Sequence, residues 1–296
     1  MQNRESYSPS FCVILSNERI CNMENQLKKK NLFQKHWMDA LAIAVVAVLA
    51  FLLAYSVYTQ FNFPKKWDIF YDYFVTNKGY NELIKGFKNT ISISVYGLLI
   101  GIAIGTLIAV IKVIPPYKKL TRYAQAVCKV YVAFFRGTPI VVQLLVGYYI
   151  LLPLLGIKMD PVDSCTMIFG LNSGAYISEI MRGGINSVDP GQLEAARAVG
   201  LSFPVSMIKI VVPQAVKNIL PTLGNEFIAL IKETAIVGYV GAMDITKAFQ
   251  DQGNNSYEYM IPYLIMAAIY IVLVAIIAAL VKLMERSLSK NERRKN

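Results

Sequence analysis

The chain has 296 residues, of which 55% are hydrophobic and 17% are charged, and its formal net charge is +11. A soluble domain carries about 25% charged residues, so the composition indicates an integral membrane protein. The positive charge does not indicate a nucleic-acid partner, because the Lys and Arg residues stand in short clusters between apolar runs. One histidine and four cysteines without CxxC spacing argue against a histidine-built metal site, a catalytic triad and a redox motif.

Residues 1–38 form a polar N-terminal tail. Its first 22 residues have neither helical periodicity nor capping residues, whereas Met23 opens a more ordinary lead-in, "MENQLKKKNLFQKHW". We therefore expect translation to start at Met23.

Six apolar segments are long enough to cross a bilayer as a helix of about 20 residues. They lie at about 39–59, 83–112, 123–152, 164–184, 216–241 and 260–282. The apolar run of the first exceeds the usual 7–15 residues of a signal peptide, and no clear cleavage site follows it, which favours a retained span. The sequence thus predicts an all-α integral membrane protein with about six transmembrane helices.

Positive charge predicts the orientation of these spans. Lys and Arg concentrate in the N-terminal tail, the loop after the second span, the 185–215 loop and the basic tail 286–296. The other connecting loops hold few of them. We therefore expect both termini and the 185–215 loop to be cytoplasmic.

Small residues recur every four positions in the second span, at Gly97, Gly101, Gly105 and Ala109. Such a stripe lets another helix approach closely. Two interpretations remain open, packing within the chain and contact with another subunit.

A polar segment, "NSVDPGQLEAARAVGLSFPVSM", interrupts the apolar pattern. Asp189 is a good N-cap, Pro190 suits the first helical position, and Gln192 completes a pair that resembles a capping box. Gly200 is placed to end the helix in the left-handed conformation, with Leu201 beyond it. The pattern predicts a short, well-capped helix.

A second short helix is expected directly after the first. Ser202 is its predicted cap, Pro204 lies in its first turn, and we expect Pro213 to end it. Helices of about ten residues are marginal alone, so the pair must dock on something. Both the chain's own spans and a partner protein fit this requirement.

Three stretches carry a family resemblance: "YVAFFRGTPIVVQLL" (131–145), "GAYISEIMRGGINSVDPGQLEAARAVG" (174–200) and "LPTLGNEFIALIKETAIVG" (220–238). With "IVVPQA" after the second stretch, they resemble the EAA-motif permease subunits of ABC transporters for polar amino acids, the His/Glu/Gln/Arg/opine type. The likeness covers about residues 80–285, which we expect to be the transmembrane domain, with the span at 39–59 as an addition. Val199 stands where Leu is common in the motif, which is a conservative exchange.

The resemblance implies that the 185–215 loop is a coupling loop that docks on an ATP-binding subunit. The residues that it assigns to coupling are Gly191, Glu194, Ala195, Ala196, Gly200 and Pro213. It also implies two ATP-binding subunits, a second permease subunit that is either identical or related, and an extracytoplasmic amino-acid-binding protein. ATP and Mg²⁺ are expected on the ATP-binding partner, and we expect this chain to bind no cofactor.

Polar residues inside the predicted spans are costly and should face protein or a water-filled path. The candidates for a substrate path are Gln143, Tyr176, Glu179, Asn225 and Glu226. The candidates for a structural or gating role are Arg136, Gly137, Thr138, Pro139, Lys232 and Glu233. Internal structural pairing remains an alternative for the first group as well.

The chain lacks a GxxxxGK[ST] motif and any recognisable nucleophile–base arrangement, so it is not expected to be an enzyme. The favoured hypothesis is a permease subunit of an ATP-driven importer in a bacterial cytoplasmic membrane, in contact with lipid and not with nucleic acid. An ion-coupled secondary transporter is the alternative, although no inverted repeat is visible. A membrane receptor or scaffold without transport is a third possibility.

Overall fold

The computed structural model describes residues 40–293 except 42, 57, 60 and 61, with side chains as far as residue 287. The tail at 1–38 and the expected start at Met23 lie outside the described residues. The chain divides into two compact units, Met1–Lys65 and Lys66–Asn296. Every regular element in the described ranges is helical.

The first unit contains an apolar helix, α1 (Ile43–Ser56), inside the predicted span 39–59. Its large apolar side chains are exposed, including Val46 at 66%, Phe51 at 69% and Leu53 at 67%. Such exposure suits a helix whose surroundings are hydrocarbon, since lipid then covers those side chains.

Nine further helices follow in the described chain. In order they are α2 (Phe63–Tyr71), α3 (Tyr80–Val113), α4 (Lys119–Gly137), α5 (Ile140–Leu154), α6 (Pro161–Asn186), α7 (Pro190–Ala198), α8 (Phe203–Val240), α9 (Ile245–Ser256) and α10 (Met260–Arg293). Short π-helical segments follow α2 at Asp72–Thr76 and lie inside α5 at Gly147–Leu151 and inside α8 at Met207–Val211; α8 ends in a 3₁₀ stretch, Thr234–Val240.

Within the described residues, three helices are long and apolar enough to cross a membrane, namely α3, α8 and the Met260–Ser287 part of α10, and a bent pair brings the number to four. The sequence predicted about six. α6 covers the predicted span 164–184 but buries Ser164, Asn172 and Ser173 against its neighbours. Its low hydropathy therefore reflects a position inside the protein, since a helix surrounded by protein need not be apolar on every side.

The segment predicted as one span at 123–152 is not one continuous helix. α4 and α5 form a pair bent by 106°. Thr138 has extended backbone angles, φ −120° and ψ 143°, and Pro139 follows it. The proline ring disfavours the helical conformation at the preceding residue, which ends α4. Gln143 holds the bend through hydrogen bonds from Nε2 to the carbonyl oxygens of Phe135 at 2.8 Å and Thr138 at 2.9 Å.

The centre of the second unit is the close pair α3 and α6. A Cβ added at Gly105 would lie 2.9 Å from the backbone nitrogen of Ser178, and one at Gly101 would lie 3.0 Å from the side chain of Ser173. α6 also contributes a glycine to this contact, Gly170, where a Cβ would lie 2.6 Å from Ile100 of α3. The small-residue stripe therefore serves packing within the chain, as the first of the two interpretations had it.

The prediction that Pro213 ends the second short helix is wrong. The helix continues through it, and Pro213 lies in the first turn of the α-helical stretch Val212–Glu233. A π-helical turn, Met207–Val211, comes immediately before. The wider turn leaves room for the ring and does not require the missing N–H, so the chain passes without a break.

Candidate functional site

The start and stop of α7 follow the predicted capping at Asp189 and Gly200, whereas within the described residues no side-chain hydrogen bond of Gln192 completes the expected capping box. The side chain of Asp189 accepts a hydrogen bond from the Gly191 N–H at 2.9 Å. At the other end Gly200 has φ +86°. The Leu201 N–H bonds to the Ala196 carbonyl at 3.1 Å, and the Gly200 N–H bonds to the Arg197 carbonyl at 3.0 Å. This pair of bonds is a complete Schellman motif.

The turn between α7 and α8 is closed differently from the prediction. Ser202 stands at the N-cap position of α8, but its side chain makes no capping hydrogen bond. Its carbonyl accepts the Ser206 hydroxyl at 3.0 Å, and the Arg197 guanidinium donates to the Leu201 carbonyl at 2.9 Å. Arg197 thus fixes the turn that Ser202 was expected to cap.

α7 has two different faces. Ala196 is 4% exposed, and Leu193 packs against a buried cluster of Val188, Val211, Ala215 and Ile219. The remaining surface is open to solvent: Gly191, Glu194 and Ala195 are exposed, and so is Val199, at 78%. One face therefore anchors the helix to its own chain, and the other face is uncovered in the described structure. Contact of that second face with a partner protein stays a prediction.

A cleft of about 630 Å³ lies between α7 and the end of α3, and Lys112 and Arg182 line it. Glu179 joins these two cations. Its carboxylate accepts from Lys112 Nζ at 2.5 Å and from Arg182 Nη2 at 2.7 Å. A carboxylate held by two cations has little capacity left for a ligand. The geometry therefore favours structural pairing for Glu179.

Other polar candidates meet on the face where α6 approaches α8 and the bend. The Ser173 hydroxyl donates to Glu226 Oε1 at 2.7 Å. Tyr176 is one turn further along α6, and the guanidinium carbon of Arg136 lies 5.4 Å from the centre of its ring. The Ser173–Glu226 pair and the Arg136–Tyr176 pair thus lie about one helical turn apart along α6. Sequence reasoning missed Ser173, although its spacing of three from Tyr176 placed it on the same face.

The remaining candidates have other surroundings. Gln143 belongs to the bend between α4 and α5, which Gly137, Thr138 and Pro139 form. Asn225 is exposed next to Glu226. Lys232 lines a cavity of about 580 Å³ against α10, with Tyr270 among its other lining residues. Glu233 is half-buried. The structure therefore does not gather all the predicted path residues at one place.

Comparison with known proteins gives one family for most of the chain. Residues 97–290 match the family described as "Binding-protein-dependent transport system inner membrane component". A putative glutamine transport system permease protein of Rickettsia bellii is 39% identical over 206 residues, covering 70% of this chain and 92% of that protein. The arginine transport system permease protein of Bacillus subtilis is 38% identical over 210 residues, covering 71% and 94%.

Solved structures give the same result. The crystal structure of an amino acid ABC transporter with histidines matches with a TM-score of 0.66 and 37% identity, covering 73% of this chain and 98% of that one. An inward-facing methionine ABC transporter matches with a TM-score of 0.59 at 20% identity, covering 70% and 95%, and shows likeness of fold alone.

Proposed function

The chain belongs to the family of binding-protein-dependent transport system inner membrane components, and on that premise we propose that it imports polar amino acids as the permease subunit of an ABC importer. It is a multi-pass bacterial membrane protein, and ATP hydrolysis is the work of a separate ATP-binding subunit. The substrate class is supported by the named glutamine and arginine permeases, which match this chain over more than nine-tenths of their own lengths.

The observation that carries the coupling role is the two-faced helix α7. Capping at Asp189 and Gly200 makes it rigid, and Leu193 and Ala196 fix it to the permease. Its exposed surface, with Glu194 at its centre, is the surface for the ATP-binding subunit. A rigid helix anchored on one side transmits displacement without absorbing it, which is what a coupling element requires.

The pairing of Ser173 with Glu226, and of Arg136 with Tyr176, supports a substrate path on this side of α6. A free amino acid carries an ammonium and a carboxylate. Glu226, which is half-buried, suits the first and Arg136, which is exposed, suits the second, because opposite charges attract. The same surroundings would hold an apolar solute poorly.

The full assembly has two permease chains, two ATP-binding subunits and an extracytoplasmic amino-acid-binding protein. The positive-inside rule supports a cytoplasmic position for the 185–215 loop, and the docking role proposed for α7 requires one. The same charge rule supports the proposal that both termini are cytoplasmic.

The test is reconstitution of the purified complex in lipid vesicles, with uptake of radiolabelled glutamine and arginine measured with and without ATP at the ATP-binding subunits. We expect uptake to require ATP and the binding protein. Glu226→Gln should raise the substrate concentration for half-maximal uptake about tenfold or more, since one charged hydrogen bond is lost. Glu179→Gln is the matched control and should leave that concentration unchanged. Uptake driven by an ion gradient without ATP would contradict the proposal and favour a secondary transporter.

A further inference from the structure

Two residues of the second unit have left-handed backbone conformations although they are not glycine. Lys78 has φ 58° and Tyr257 has φ 55°. This conformation is unfavourable for bulky residues. Tyr257 is also 88% exposed, so its ring gains little from contacts within the chain. Glycine would adopt the same turn without strain, so Tyr257 is a candidate for a contact outside this chain.

The two turns, 77–79 and 254–258, form one continuous surface, which we call the double-turn surface. Asn255 Nδ2 donates to Tyr73 Oη at 2.6 Å. The ring of Tyr73 lies against Gly79, where a Cβ would be 3.2 Å from it. Tyr73 thus joins the last turn of α9 to the turn before α3.

Further bonds make this surface rigid. Asn254 accepts the Tyr259 hydroxyl at 2.9 Å. Glu258 accepts from the Met260 N–H at 3.0 Å and pairs with Lys66 at 2.9 Å. The turn that presents Tyr257 is therefore organised before any partner arrives, which lowers the entropy lost on binding.

The double-turn surface and the helix α7 lie at opposite ends of α3. α3 begins at Tyr80, next to this surface, and at its other end Lys112 lines the cleft beside α7. A helix of 34 residues is about 51 Å long, which exceeds the thickness of a bilayer. The double-turn surface and the coupling helix therefore lie on opposite sides of the membrane.

The residues around Tyr257 favour a protein over lipid. Its immediate neighbours in the chain are polar, namely Asn255, Ser256 and Glu258. The tyrosines expected at a lipid interface are instead Tyr259 and Tyr263, whose ring centres are 5.8 Å apart at the start of the apolar helix α10. Tyrosine is enriched among interface hot spots, and on a binding loop it supplies a large contact area at a low entropy cost.

We propose that Tyr257 and Lys78 are the docking contact for the extracytoplasmic amino-acid-binding protein, with the ring of Tyr257 in an apolar recess of that protein and Lys78 facing one of its carboxylates. This inference rests on the proposed function. Lys78 is exposed, and no salt bridge involves it within the described part of the chain, so its charge is available.

The test uses the whole complex in vesicles and the amino-acid-binding protein that stimulates ATP hydrolysis by the wild-type complex. Tyr257→Gly removes the ring and relieves the backbone. We expect the binding-protein concentration for half-maximal stimulation to rise at least about tenfold, with basal hydrolysis unchanged. Lys78→Asn removes the positive charge, and asparagine tolerates the left-handed conformation. Binding should therefore depend less on salt concentration than it does in the wild type.

Tyr117→Gly is the matched control, because Tyr117 is 91% exposed in the loop at the other end of α3. It should leave the half-maximal concentration unchanged. A wild-type complex that does not respond to any binding protein would overturn the proposed function and the docking contact together. A responsive wild type with an equally responsive Tyr257→Gly variant would overturn the docking contact alone. The same holds if that variant changes only the stability of the complex in the bilayer, which would make Tyr257 a lipid anchor.

Discussion

Replacing Gly200 by valine tests whether the left-handed end of α7 is required for coupling. No atom lies within 4 Å of an added Cβ at this position, so the cost is in the backbone and not in a clash. Holding valine at φ +86° costs about 1–2 kcal/mol. If the residue leaves that conformation, the two hydrogen bonds of the Schellman motif are lost, each worth about 0.5–1.5 kcal/mol.

Either route weakens the ordered form of the coupling helix by about 1–3 kcal/mol, which shifts its population about 5-fold to 150-fold. We expect substrate-stimulated ATP hydrolysis to fall accordingly in vesicles, while the thermal unfolding of the isolated permease changes little. Gly200→Asn is the control, because asparagine adopts the left-handed conformation at helix ends. Equal stimulation in the valine, asparagine and wild-type complexes would refute the role of this turn.

Three other predictions concern charge and packing. Glu194→Lys should detach or uncouple the ATP-binding subunit in a co-purification assay without unfolding the permease, whereas Glu285→Lys at the exposed end of α10 should not; an intact and active Glu194→Lys complex would rule out the docking role. Gly105→Ala should destabilise the permease by about 1–3 kcal/mol in thermal unfolding, since its Cβ would meet backbone, whereas Gly97→Ala, with no contact below 3.7 Å, should be tolerated; equal melting of both would contradict the packing argument. Lys112→Met should lower the stability of the permease by about 1–3 kcal/mol, because the partly buried carboxylate of Glu179 loses one of its two cations. The substrate concentration for half-maximal uptake should not change; a change would indicate that Glu179 belongs to the substrate path.

The parts of the fold that were predictable depend on neighbouring residues. Asp189 and Gly200 define the ends of α7 because a cap bonds to groups two to five positions away, which a sequence displays directly. The continuation of α8 through Pro213 was not predictable in this way. It depends on a π-helical turn, whose extra residue has no signature in hydropathy or composition.

The sequence contains the cause of the bend at Thr138 and Pro139, but the apolar residues on both sides of it favoured one continuous span. Proline restricts the backbone of the preceding residue locally and strongly, and mean hydropathy does not reflect that restriction. The bond between Ser173 and Glu226 joins residues 53 positions apart. No pattern within one helix specifies such a contact, because it depends on how α6 and α8 are packed.

α8 connects the two parts of the candidate site. Its residue Ile219 packs in the cluster that anchors α7, and Glu226 lies seven positions further along, about 10 Å away at 1.5 Å per residue. α6 is held by close glycine contacts with α3, so the Ser173–Glu226 bond joins α8 to a helix that is packed tightly on another side. On the proposed function, movement of α7 by the ATP-binding subunit therefore displaces α8 against α6. The hydrogen bond between Ser173 and Glu226 joins α6 to α8. Glu226, the carboxylate proposed to face the ammonium of the substrate, is therefore the group that coupling repositions.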